Sequence, residues 1–294
     1  MALALLAAGA DPLAVAREQV LAVVNKAREE HGLAPLTRDS LLERVGTAFC
    51  RKLLAEGGSG HFASDGVPPY LRYLLVGGTG FHRENVGSYT TTGELQAGDV
   101  PSLAVELTAS MLAETPPADG HRRTLLAPFA THMGVGVAFS AKRLVLTHEV
   151  ATELSEVTLG PVICQARSPW SVVGRVRLPW QAAAVEVLWE PLPGTGPIPG
   201  GHSYSYPPRK AWFEPREFLP GSRMSIPGAL SIQPGGRFAF RTTTGPHPGV
   251  ELAVLWGRRP GFAELEPVAL AGCVVAEAVP PTLADWMRLR EDAP

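Results

Sequence analysis

The chain has 294 residues, 45% of them hydrophobic and 18% charged, and a net charge of -2. That length suits two domains rather than one, and the charge balance excludes the basic face that a nucleic-acid partner requires. No run approaches the ~20 apolar residues that span a bilayer, so no transmembrane span is expected. Glycine (31) and proline (28) are well above average abundance, and their excess lies mostly after residue 160, which predicts many turns there.

The first ten residues, Met-Ala-Leu-Ala-Leu-Leu-Ala-Ala-Gly-Ala, have the apolar stretch and small-residue end of a secretory signal peptide without its basic leader. A short hydrophobic lead-in is the alternative for residues 1–13. Asp11-Pro12 then opens a helix, with Leu13, Ala16, Val20, Val23, Val24 and Ala27 at helical spacing up to His31-Gly32. After the extended Leu33-Ala34-Pro35-Leu36, Ser40 and Glu43 read as a capping box. The helix behind them carries Leu41, Leu42, Val45, Ala48, Phe49 and Leu53 on one face and stops at Gly57-Gly58. Pro68 to Leu75 forms a short helix, and Gly77-Gly78-Thr79-Gly80 a turn. The run lacks the Lys-Ser/Thr of a phosphate loop.

Residues 101–114 form an amphipathic helix through Leu103, Leu107, Met111 and Glu114, broken by Pro116-Pro117. Gly134 to Phe139 and Leu144 to Val150 are strands joined by the turn Ser140-Ala141-Lys142. Beyond Glu156 strands dominate: Val157–Cys164, Trp170–Leu178, Ala183–Trp189, Arg237–Thr242, Val250–Trp256 and Pro267–Val275. Their spacing suits an immunoglobulin-like β-sandwich. Residues 191–236, with Tyr204, Tyr206, Trp212 and Phe213, read as a long decorated loop, and residues 281–294 as a terminal helix with a frayed end. Three cysteines do not make a disulfide scaffold. Cys164 and Cys273 could pair, leaving Cys50 on an apolar helix face where a thiol is inert.

Four short pieces carry the chemistry: Gly60-His61-Phe62 with Ser64-Asp65-Gly66, Arg83-Glu84-Asn85-Val86, Met111-Leu112-Ala113-Glu114, and Gly120-His121-Arg122-Arg123-Thr124-Leu125-Leu126. Two imidazoles suit a borderline metal such as zinc and would leave coordination positions open. The carboxylates could ligate, orient the rings, or act as general bases on a bound water. Each piece alone has a plain structural reading. His121 could cap a helix starting near Asp119, and Glu84 could hold a loop through backbone N–H groups. Ser64 beside His61 does not make a triad, since neighbours in sequence rarely meet that geometry. His31, His82, His132, His202 and His247 fit no motif. His148 and Glu149 share a strand.

The order of these pieces, followed by Met133-Gly134-Val135-Gly136-Val137 and preceded by Asn25, Arg28, Gly32, Leu33 and Leu36, resembles the CAP superfamily. That superfamily groups cysteine-rich secretory proteins, antigen 5, pathogenesis-related proteins and bacterial SCP-like domains. The resemblance covers residues 14–153. It implies a three-layer α-β-α CAP sandwich there; with the strand spacing read above as an all-β, immunoglobulin-like sandwich over residues 154–280 and a tail over 281–294, the chain is expected to be α+β. The resemblance implies that His61, Glu84, Glu114 and His121 line one cleft, with His61 and His121 able to hold zinc or another divalent metal. Met111 stands where an aromatic residue is usual and Thr124 where asparagine is common. The Gly-His-Arg-Arg and His-x-x-x-Asp-Gly forms are those of bacterial members. The implied role is an exported protein, secreted or of the cell envelope, whose cleft binds a small ligand, a lipid or a cell-envelope component. The alternatives are a metal-assisted hydrolase of peptide or glycan with Glu84 as base, and an adhesion or scaffolding protein acting through the β-sandwich. The missing His-Glu-x-x-His helix weighs against the hydrolase.

Overall fold

Residues 11–158, 160, 162–194, 203–215 and 229–291 are described by the structure, a computed structural model. The signal-like first ten residues, residues 195–202 (His202 among them) and 216–228 of the expected 191–236 loop, and residues 292–294 lie outside the described residues. Helix accounts for 30% and strand for 35%, so the chain belongs to the mixed class, and its sheets are open. The chain divides into two compact units. The first holds residues up to Ser64 together with Arg83–Val150, and the second holds Asp65–His82 together with Ala151 onward.

In the first unit, helix α1 (Pro12–Glu30) starts where Asp11 accepts a hydrogen bond from the Leu13 amide at 3.0 Å. It buries Ala16, Val20, Val24 and Arg28. Strand β1 (Thr37–Arg38) leads into α2 (Ser40–Glu56). The α2 cap is Asp39, which accepts from the Leu42 amide at 2.8 Å, not Ser40 as the capping-box reading had it. With the amide taken by a carboxylate one residue earlier, Glu43 pairs instead with Arg38, at 2.7 Å. Gly57 ends α2 in the left-handed region, φ 67°. Helix α3 (Pro69–Leu75) belongs to the second unit, and strand β2 (Phe81–Thr90) enters the first unit at Arg83. The sequence reading held no strand here, because His82-Arg83-Glu84-Asn85 breaks the apolar pattern. Yet His82, Glu84 and Asn85 are buried. Helices α4 (Val100–Leu112) and α5 (Gly120–Leu125) and strands β3 (His132–Phe139) and β4 (Arg143–Thr152) complete the series.

Among the described residues, one sheet of this unit has the order β1-β3-β4-β2. Its two faces carry different helices. A Cβ on Gly134 would lie 2.2 Å from the Glu43 amide nitrogen, and one on Gly136 would lie 2.2 Å from the carbonyl carbon of Gly46. Helix α2 therefore rests directly on the β3 backbone. On the opposite face Val135, Val137, Leu144 and Leu146 pack with Val20 and Val24 of α1 and Ala104 of α4. This alternation is what the period of two in a strand demands, and it produces helices on both faces of the sheet.

The second unit contains β5 (Ser155–Thr158), β6 (Ile163–Cys164), β7 (Pro169–Val176), β8 (Gln181–Glu190), β9 (Arg209–Phe213), β10 (Ala229–Ile232), β11 (Arg237–Thr243), β12 (Gly249–Arg258), β13 (Glu266–Val275) and α6 (Pro281–Glu291). Its described strands form sheets of order β10-β11-β7-β5 and β6-β13-β12-β8-β9. Val172 and Phe240 from one sheet and Val185, Ala253, Leu255 and Ala269 from the other line the same small void. The stretch read as one strand over 157–164 is two, β5 and β6, pairing in different sheets. Gly160-Pro161 lies between them in the sequence, and proline cannot donate to a ladder. Strands β9 and β10 fall within the segment read as a loop. Neighbouring prolines hid their short alternating patterns.

Candidate functional site

His61 follows the end of α2 and is buried. Its Nδ1 lies 2.8 Å from Oε1 of Glu84, which projects from β2 and is also buried. The next residue of β2, Asn85, donates its side-chain amide to the backbone carbonyl of His121 at 3.0 Å. His121 in turn sets its Nδ1 2.5 Å from Oε1 of Glu114. The four candidate residues thus form two histidine–carboxylate pairs, His61–Glu84 and His121–Glu114, and β2 reaches both through adjacent residues. Glu84 holds an imidazole, where the plain reading had it accepting backbone amides of a loop. Asn85 carried no role in the sequence reading. Its position beside Glu84 in the Glu-Asn-Val piece was the only available signal.

Glu114 also closes the end of α5. Its Oε2 accepts from the His121 amide at 3.0 Å and from the Arg122 amide at 3.4 Å, donors that a helix start leaves without intrahelical partners. Asp119 makes no side-chain cap there. Burial alone would raise the Glu114 pKa, but hydrogen bonds from His121 and Arg122 outweigh it and hold the carboxyl below its ordinary value. The far end of α5 is fixed by Arg28. This fully buried guanidinium donates to the carbonyls of Leu125 at 2.9 Å, Ala127 at 3.0 Å and Ala34 at 2.7 Å. Burial lowers its pKa.

Behind His121 lies His148 on β4, fully buried. Thr108 donates its hydroxyl to the Ala104 carbonyl at 2.8 Å and lies 3.0 Å from His148 Nε2. A hydroxyl has one proton, so His148 donates from Nε2, and its Nδ1 has no partner. Burial, and then the charge of His121, push the His148 pKa down to about 3. Glu149 occupies the other face of β4, toward Gly46 of α2. Sequence reasoning left Thr108 unnoticed. The one hint was a threonine on the apolar side of an amphipathic helix.

Ser64 bonds Glu56, at 2.7 Å, and Cys50 is buried. Among the described residues no group of three or more His, Cys, Asp or Glu is arranged to hold a metal ion, and no helix is long and apolar enough to cross a membrane.

Three similar solved structures share parts of this chain. An extracellular SCP-domain protein of Bacillus anthracis is 20% identical over 45% of this chain, with a TM-score of 0.34, and the match spans 39% of that protein's length. An outer surface protein of Borrelia burgdorferi is 17% identical over 45% of this chain and 90% of its own, TM-score 0.35. NaASP2, solved with Zn2+, is 14% identical over 46% of this chain and 78% of its own, TM-score 0.35. No curated protein matches the chain significantly. The family model for CAP, the cysteine-rich secretory protein family, matches residues 21–150, a span that contains His61, Glu84, Glu114 and His121. By that match, residues 21–150 are a CAP domain of the cysteine-rich secretory protein family.

Proposed function

We propose that the two histidine–carboxylate pairs form one ligand-binding cleft in an exported bacterial protein, secreted or held at the cell envelope. Its ligand is a small molecule, a lipid or a cell-envelope component. The observation that carries this reading is the linkage of the two pairs through β2: Glu84 holds His61 while Asn85 holds His121. In each pair a carboxylate engages Nδ1, which sets the tautomer and ring orientation as it does for metal-ligating histidines. On this reading zinc or another divalent ion would be held by His61 and His121. Two imidazoles make an open, exchangeable site, and a bound ion would offer its remaining positions to an anionic group of the ligand. Glu84 and Glu114 keep the imidazoles oriented. For the C-terminal unit we propose a β-sandwich of immunoglobulin type, supported by side chains from both sheets lining one void.

Titration calorimetry with zinc tests the site. Wild type is expected to bind, and His61→Ala or His121→Ala to abolish binding. Affinity should fall as pH drops through ~6.5, where free imidazole protonates. Equal zinc binding by the double variant would remove the metal from the proposal. Glu84→Gln separates binding from catalysis. A binding module shows no peptide or glycan hydrolysis in either protein, and the variant loses stability. Hydrolysis that falls by two or more orders of magnitude in Glu84→Gln at unchanged melting temperature would establish the hydrolase instead.

A further inference from the structure

Cys164 and Cys273 occupy the adjacent strands β6 and β13 of one sheet in the second unit. Strand β6 pairs in parallel with β13, with Ile163 opposite Val274 and Cys164 opposite Val275. Side chains two residues apart on a strand share a face, so Cys273 lies on the Cys164 side of the sheet, diagonally across the ladder. The two thiols are near enough to influence each other's ionisation. Both are buried, Cys164 at 7% and Cys273 at 0% exposure. Cys50 belongs to the other unit and sits beside Thr147.

We infer that Cys164 and Cys273 are a disulfide-forming pair that closes in an oxidising compartment and ties β6 to β13. The oxidant is a disulfide, either a small molecule or a protein. One cysteine thiolate attacks it, forming a mixed disulfide and expelling one thiolate. The second cysteine thiolate then attacks the protein sulfur and expels the other. Two protein S–H bonds are lost, one S–S bond forms, and the oxidant leaves as two thiols. β6 is only two residues long, so the small approach that a disulfide requires falls on a short segment. Glu251 lies opposite Cys273 on β12 and is fully buried. Burial, then the neighbouring Cys164 thiol and the Glu251 carboxylate, hold the Cys273 thiol protonated in the folded chain. The bond therefore forms as the sheet assembles, and once formed it resists exchange because attacking thiols cannot reach it.

The test refolds the full reduced chain in a glutathione redox buffer, then alkylates it under denaturing conditions and maps the peptides by mass spectrometry. One alkylated cysteine, Cys50, and a single linked peptide pair joining Cys164 to Cys273 are expected. Three alkylated cysteines, or a link to Cys50, would overturn the inference. As a second reading, reductant should lower the melting temperature of the oxidised chain by about 5 °C or more, because the bond closes a loop of roughly a hundred residues. Cys273→Ser should melt at the same temperature with and without reductant. A wild-type melting temperature insensitive to reductant would refute the tie.

Discussion

At the scale of single residues, two buried titrating groups make opposite demands on pH. His148 is neutral in the folded chain down to about pH 3, whereas an unfolded histidine protonates near 6.5. Between those values the unfolded state binds more protons, so the folded state loses stability as pH falls from 6.5 toward 3. His148→Phe should be insensitive over that window, measured as melting temperature against pH beside wild type. A wild-type curve parallel to the variant's would show that His148 titrates normally. In the second unit, Glu190 accepts a hydrogen bond from the Tyr70 hydroxyl at 2.9 Å. Burial raises its pKa to about 7, with the Tyr70 bond acting against the shift. Here the folded state holds the proton longer than the unfolded chain, whose carboxyl releases it near 4.5. Its contribution is intact below 4.5 and lost as pH rises through about 7. Glu190→Gln should gain stability relative to wild type across that interval and no further above it. A constant difference between the two proteins from pH 4 to 8 would contradict the assignment.

At the scale of elements, two contacts hold the site in shape. Helix α2 approaches β3 so closely that Gly134 and Gly136 face backbone atoms of Leu42, Glu43 and Gly46. A methyl group there must displace main chain rather than a flexible side chain. Gly136→Ala should therefore cost at least the upper end of the ~1–3 kcal/mol typical of overpacking, read from chemical denaturation. Arg28 joins α1 to the segment behind α5, and so to the helix that carries His121. Arg28→Met would leave the Ala34, Leu125 and Ala127 carbonyls without this donor. The expected loss is about 3 kcal/mol or more, with weaker zinc binding even below the melting transition. Unchanged stability would mean that water replaces the guanidinium.

At the scale of the whole molecule, the sequence by itself determined the mixed class, the long helices α1, α2 and α4, and strands β3 and β4. Those features rest on local physics. Asp11-Pro12 starts a helix whatever surrounds it, apolar residues at three- and four-residue steps need one buried face, and the Gly-Val-Gly-Val piece alternates as a strand must. The motif order identified His61, Glu84, Glu114 and His121 without showing which carboxylate meets which imidazole. That pairing belongs to the tertiary structure, because His61 and Glu84 come from elements separated by α3, which belongs to the other unit. Strand β2 escaped the sequence reading for the same reason. A strand whose polar residues are buried by long-range partners shows no apolar alternation of its own. Asn85 and Thr108 were invisible as site residues until β2, α4 and α5 were assembled, since a side-chain amide or hydroxyl acquires a role only from the group it reaches. Asp39 outranked Ser40 as the α2 cap through a difference of one residue in chain direction, which composition does not encode. Spacing along the chain thus singled out the candidate residues, and the sheet that brings distant segments side by side decided what each of them touches.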